Sequence, residues 1–286
     1  MKQTDPTALQ ADIAAEMHLT AGFDAHSEIE RRVSFLANYL RGNGLTSYVL
    51  GISGGVDSTT AGRLAQLAVE RLRGERYDAR FIAIRLPHGA QKDEADAQQA
   101  LAFIRADETL TIDIKPAADA MLASLHQSGL PFADDALEDF VHGNIKARQR
   151  MIAQYAVAST RAGVVIGTDH AAESLMGFFT KFGDGGADVL PLAGLNKRRV
   201  RAVAKALGAS DALAYKVPTA DLEALRPQRP DEDAYGVPYE TIDDFLEGKP
   251  VSDEARTIIL RFYHATRHKR ALPDTPFDWP QPAAGE

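Results

Sequence analysis

Ser53-Gly54-Gly55-Val56-Asp57-Ser58 places two adjacent glycines, two hydroxyls and a carboxylate within one short run. Glycines let the main chain approach a phosphate closely, and consecutive backbone N–H groups can then converge on the anion. Ser53 and Ser58 add hydroxyl donors, whereas Asp57 repels a phosphate unless a cation stands between them, which points to bound magnesium. The loop lacks the Lys-Ser/Thr ending of a Walker A loop, and it does not follow G-x-G-x-x-G. Glycines alone need make nothing more than a tight strand-to-helix turn, so the setting of the loop decides its meaning.

That setting is alternating. Asp24 to Gly42 spaces Ile29, Val33, Leu36 and Leu40 as one face of an amphipathic helix, ended by Asn43-Gly44. Ser47 to Ile52 reads as a short buried strand that hands over to the glycine loop. A helix follows from about Asp57 to Arg73 and closes at Gly74. Phe81 to Leu86, Thr109 to Ile114 and Val164 to Gly167 are further apolar, β-branched runs separated by helical segments. The pattern predicts βαβ units: an α/β fold with an open parallel sheet flanked by helices on both faces. The loop's N–H groups would then point out of a helix N-terminus at the carboxyl end of a strand. Gly183-Asp184-Gly185-Gly186 and Leu225 to Tyr239 read as mobile loops, and Ser252 caps a helix running to about His268. The tail from Pro273 reads as irregular, and no linker divides the chain, so residues 1–286 are expected to form a single domain.

In this context S-G-G-x-D-S resembles the pyrophosphate loop of the ATP pyrophosphatases, which adenylate a carbonyl oxygen and release pyrophosphate. Later strings narrow the resemblance to ammonia-dependent NAD synthetases. They are Gly143 to Met151, Gly167 to Glu173, Lys181 to Asp188, Leu195 to Arg198, Pro218-Thr219-Ala220-Asp221-Leu222 and His268-Lys269-Arg270. The resemblance implies an adenine-nucleotide α-hydrolase-like, Rossmann-like three-layer fold. It implies ATP-dependent amidation of deamido-NAD through an adenylated intermediate, giving NAD, AMP and pyrophosphate in the last step of NAD biosynthesis. By resemblance, Gly51, Ile52, Ser53, Gly54, Gly55, Val56, Asp57, Ser58, Thr168, Lys197 and Thr219 bind ATP, with Asp57 and Glu173 on magnesium. Arg148, Lys181, Asp188, His268 and Lys269 are implied contacts of deamido-NAD, in a homodimer whose substrate site crosses the subunit interface.

Several of these positions have a physical reading of their own. On a helix, Arg148 shares a stripe with Ile145, Ile152 and Tyr155, so it needs an anionic partner unless it snorkels to solvent. Lys197 opens a helix beginning Asn196-Lys197-Arg198-Arg199, an unfavourable cationic N-terminus unless phosphates compensate. Asp184 or Asp188 is available to bind or deprotonate an incoming ammonium ion. His264 and His268 have a zinc-like spacing but lack the glutamate that a zincin carries after its first histidine.

Composition sets the outer limits. The 286-residue chain contains no cysteine, which excludes disulfides, thiolate metal sites and a cysteine nucleophile within it. Glutamine-dependent NAD synthetases use such a nucleophile in an added glutaminase domain, so free ammonia is the expected nitrogen donor. A net charge of −8 argues against bulk nucleic-acid binding. With neither a signal peptide nor a membrane-length apolar run, the expected location is cytoplasmic. Two competing readings are a superfamily member with another acceptor, such as a GMP synthetase-like or tRNA-modifying enzyme, and a non-catalytic ATP-binding module.

Overall fold

The computed structural model describes residues 6–89, 94–220, 222–226, 229–271 and 273–277. Two helices come first, α1 (Pro6–Glu16) and α2 (Ala25–Gly42), followed by strand β1 (Ser47–Gly51). Then come α3 (Val56–Gly74), β2 (Arg80–Arg85), α4 (Glu94–Ile104), β3 (Glu108–Thr111), α5 (Lys115–Gln127), α6 (Asp135–Thr160) and β4 (Gly163–Val165). After β4 the described elements are α7 (Ala171–Met176), α8 (Lys197–Ala206), α9 (Asp211–Ala214), β5 (Thr219–Ala220), β6 (Arg229–Pro230), α10 (Asp231–Tyr235), α11 (Tyr239–Leu246), α12 (Asp253–Ala265) and α13 (Arg267–Arg270), with β5 and β6 paired as a small ribbon.

The four main strands lie in the order β3-β2-β1-β4, all parallel, with Ser47 opposite both Arg80 and Gly163. Alternation along each strand builds two cores. Tyr48, Leu50 and Phe81 face a cluster with Leu36 and Leu40 of α2, Leu64 and Leu72 of α3, and Val200 and Val203 of α8. Val49, Ile82, Ile84 and Val165 face the other way, against Ala158 of α6 and Ile114. A third cluster joins α1, α7, α11 and α12 through Ile13, Leu175, Phe245 and Ile259. The expected open parallel α/β sheet with helices on both faces is therefore present.

Local signals held in some places and failed in others. Asp24 caps α2 by accepting the Ser27 N–H, and Gly44 takes the left-handed turn beyond Asn43. Gly74 is the last residue of the next helix, as expected, but keeps an ordinary backbone, and the left-handed residue beyond it is Arg76 at φ 65°. Beyond it Tyr77 donates its backbone N–H back to Leu72 O at 2.9 Å, which closes the turn around Arg76. Pro-containing Leu225–Tyr239 holds β6 and α10 besides loop. The last helix breaks at Thr266, so His264 and His268 do not share one helix. Asp221 and residues 278–286 of the tail lie outside the described residues; 273–277 form no helix or strand.

Candidate active site

The strand order fixes where a ligand can enter. From β1 the chain crosses to β2 on one side, while β4 lies on the other, so the loops leaving β1 and β4 diverge and open a crevice. A cavity of about 280 Å³ occupies it, walled by Gly51, Ile52, Ser53, Gly55, Val56, Asp57 and Ser58 from the first loop and by Thr168, Asp169 and Glu173 from the second. Val217, Thr219 and Asp231 close the far side.

The glycine loop holds its shape with its own hydroxyls. Gly55 N–H donates to Ser53 Oγ at 3.2 Å, Ser53 N–H to Ser58 Oγ at 3.3 Å, and Thr59 Oγ1 to Gly55 O at 2.7 Å. Gly54 does not wall the cavity. At φ 85° a Cβ there would come within 2.8 Å of the Ala97 backbone nitrogen, so glycine lets α4 pack against the loop. Two side chains fix the loop from outside: Gln154 Oε1 accepts the Gly51 N–H at 2.7 Å, and Arg85 donates to Ile52 O.

Beneath the loop lies a buried charge cluster. Lys197 is fully buried; its Nζ stands 2.8 Å from Asp57 Oδ2, 3.7 Å from Glu173 Oε1 and 4.8 Å from the centroid of Tyr239. His170, also fully buried, accepts the Glu173 N–H at Nδ1 and turns Nε2 toward Glu173 Oε1 at 3.3 Å and Asp57 Oδ1 at 3.6 Å. Burial alone would raise the Glu173 pKa, but His170 and Lys197 outweigh it and hold the carboxyl ionised. Burial likewise opposes the Lys197 charge, and Asp57 and Glu173 restore it. Three other carboxyls on this wall go the opposite way. Asp169 is pushed well up by burial and by Asp184, Glu173 and Asp57, while Asp184 and Asp231 each rise to about 6, mainly through burial.

Asp57 and Glu173 suit a magnesium ion. Their oxygens are hard donors, Asp57 Oδ1 is buried without a hydrogen-bond partner, and the surrounding carboxyls are short of positive charge.

A second cavity, about 190 Å³, meets the first at Phe178, Asp184 and Leu222 and runs between Phe140, Asn144, Phe179, Arg229 and Lys269. Asp184 is exposed at this junction, where its carboxyl opens onto both spaces. The glycine-rich loop forms a tied turn. Thr180 donates its N–H to Asp184 Oδ1 at 2.8 Å and its hydroxyl to Asn144 Oδ1 at 2.9 Å, and Gly183 N–H returns to Thr180 O at 2.8 Å.

The remaining expected residues scatter. Lys269 lines the second cavity, with Nζ on Gly177 O and Phe179 O at 2.8 Å each. Lys181 reaches the His268 carbonyl, and Arg148 donates to Lys181 O at 3.3 Å, so these lie together outside both cavities. Arg148 is exposed, as is Ile152 on the same stripe, at 52%. Its hydrogen-bond partner within the chain is this carbonyl. Asp188 accepts the Val165 N–H at 2.7 Å, which anchors β4. Lys197 lies behind the cavity wall and contacts Asp57. Within the chain, a carboxylate compensates the cationic start of α8: Asp243 accepts the Lys197 and Arg198 N–H groups at 3.0 and 2.7 Å. Asp244 and Glu247 neutralise Arg198.

Several wall residues carried no assigned role in the sequence. Arg150 and Gln154 stand four apart on α6, one helical turn that the stretch from Gly143 already implied. Asp169 and His170 sit inside the string Gly167 to Glu173 without a spacing that marks them. Asp231, which accepts the Tyr239 hydroxyl at 3.2 Å, comes from a segment without any motif.

Comparison with known proteins agrees with this geometry. The NAD synthase family model matches residues 28–273. A Paraburkholderia phytofirmans protein described as an NH(3)-dependent NAD(+) synthetase is 80% identical over all 286 residues of both chains. The crystal structure of an NAD+ synthetase from Burkholderia pseudomallei is 69% identical, with TM-score 0.83 over 96% of this chain and 100% of that one. An NMN synthetase structure from Francisella tularensis is 36% identical, with TM-score 0.77 over 89% and 99%. The chain, with its phosphate-type loop set at the switch point of a parallel sheet, belongs to the NAD synthase family.

Proposed function

We propose that this chain amidates deamido-NAD with ammonia at the expense of ATP, giving NAD, AMP and pyrophosphate. The observation that carries the reading is the pair of joined cavities: one walled by the glycine loop and a group of carboxylates, the other half apolar, with Asp184 at the junction. The first receives ATP against Gly51 to Ser58, flanked by Thr168 and Thr219. Asp57 and Glu173 would hold magnesium, which when bound neutralises phosphate charge as pyrophosphate departs. Lys197 positions both carboxylates by ion pairing.

The nicotinate carboxylate attacks the α-phosphorus, and ammonia then displaces AMP from the acyl carbon. Rate enhancement rests on alignment and on preorganised N–H donors rather than on a side-chain nucleophile. Asp184 accepts the proton lost by ammonium; its carboxyl borders both cavities, whereas that of Asp188 is engaged by Val165. Lys269 meets the acceptor in the second cavity, and Arg148, Lys181, His268 and Asp188 extend toward the rest of the dinucleotide. We infer a homodimer that completes this outer part, since Leu137, Phe140 and Ile152 of α6 are 42, 56 and 52% exposed nearby. Ammonia is taken directly, residues 1–286 act as one domain without a glutaminase, and the reaction takes place in the cytoplasm. No described helix is long and apolar enough to cross a membrane.

The test is NAD formation from deamido-NAD, ATP, magnesium and ammonium, with glutamine as the alternative nitrogen source. Nicotinate mononucleotide is the comparison acceptor, because the Francisella relative is described as an NMN synthetase. Pyrophosphate and NAD in equal amounts with deamido-NAD and ammonium are expected. A stronger rate with the mononucleotide would reassign the acceptor, and no pyrophosphate with either would leave only nucleotide binding.

A further inference from the structure

A second cluster of ligating side chains lies apart from Asp57 and Glu173. His88 follows β2 by a short turn, Asp119 sits in the middle of α5, and His142 is on α6. His88 Nε2 stands 2.9 Å from Asp119 Oδ1, and His142 Nε2 stands 3.3 Å from the same oxygen. The two imidazoles meet edge to face with centroids 5.3 Å apart, and the three ligand atoms all lie within 4.8 Å of one another.

Hydrogen bonding alone does not account for the arrangement. His142 Nε2 is buried and makes no hydrogen bond, its approach to Asp119 being misaligned. Bond lengths of about 2.0–2.1 Å at a tetrahedral ion require ligand atoms roughly 3.3 Å apart, close to both observed nitrogen–oxygen separations. Lys115 pairs with the other oxygen of Asp119 and so leaves Oδ1 to act alone. Burial, together with Lys146 and His88, pushes the His142 pKa down and favours the neutral imidazole that ligates metals.

We propose that His88, Asp119 and His142 form a binding site for one divalent transition-metal ion of the zinc or cobalt class, with water completing the coordination. Two imidazoles and one carboxylate select such an ion over magnesium, which prefers oxygen donors. The nearby lysines limit the affinity. The ion would tie the loop leaving β2 to α6, and both elements contribute to the nucleotide cavity, through Leu86 and through Ala147, Arg150 and Gln154.

Cobalt(II) titrated into the chelator-treated full chain, with magnesium in excess to fill oxygen sites, tests this directly. One equivalent should bind with visible absorption bands of nitrogen ligation, and zinc should displace it. His88→Ala and His142→Ala should each weaken binding at least tenfold, while Asp57→Asn retains it. Should His142→Ala misfold, as judged by circular dichroism, His88→Ala still decides, because His88 lies in a turn outside helix and strand. Absence of stoichiometric binding, unchanged affinity in His88→Ala, or loss of binding in Asp57→Asn would overturn the assignment.

Discussion

A lysine ammonium buried behind the cavity holds two carboxylates in place, and the charge balance around it governs the site. Asp57→Asn keeps the side-chain shape but removes the anion that Lys197 and a magnesium ion would share. Turnover, followed as pyrophosphate release, should fall on the order of 100-fold or more, with the circular dichroism spectrum retained. Near-normal turnover would remove Asp57 from the metal. Asp184 makes a different prediction. Its carboxyl is raised from an ordinary 3.8 to about 6 by burial, so below that pH it is protonated and cannot accept a proton. The rate, corrected for free ammonia, should climb between about pH 5 and 7 in the native chain, and Asp184→Asn should lose this limb. The stability sign follows the same shift. A raised native pKa means that the folded state loses stability as pH rises through about 6, so Asp184→Asn should gain in Tm relative to the parent above that pH and not below about 4.

Helices and loops set which of these groups can meet. The same residue type has opposite consequences at two ends of α3. Gly54, at φ 85° and pressed against the Ala97 backbone, cannot accept a Cβ without moving α4 or the loop. Gly74 has open space and an ordinary backbone. Gly54→Ala should lower Tm by several degrees and depress pyrophosphate release together, while Gly74→Ala should be neutral or stabilising by up to about 1 kcal/mol. A thermal melt paired with the assay checks both, and an unaffected Gly54→Ala enzyme would contradict the packing argument. The element level is also where sequence reading was uneven. The helix at Ala25–Gly42 was legible because its apolar spacing and caps are local. The acid that compensates the start of α8 was not legible, because Asp243 is 46 positions away and only the fold brings it there.

For the whole molecule, the open question of assembly rests on α6. Its inner residues Ile145, Ala147 and Ala158 are buried, while Leu137, Phe140 and Ile152 remain uncovered, close to the residues implied to bind the dinucleotide. Light scattering should give twice the 31.0 kDa of one chain, and Phe140→Glu with Ile152→Glu should halve it and raise the KM for deamido-NAD more than that for ATP. A monomeric native chain would reject the shared site. The sequence by itself determined the alternation of strands and helices, the glycine loop between β1 and α3 and the absence of thiol chemistry, since each depends on residues adjacent in the chain or on simple composition. Tertiary structure alone decided that Lys197 is a buried partner of Asp57, that Asp188 anchors a strand, and that Asp184 stands between two cavities. These facts depend on which distant segments share a low-dielectric space, and charge and hydrogen-bond demands there are settled by neighbours that local spacing does not specify.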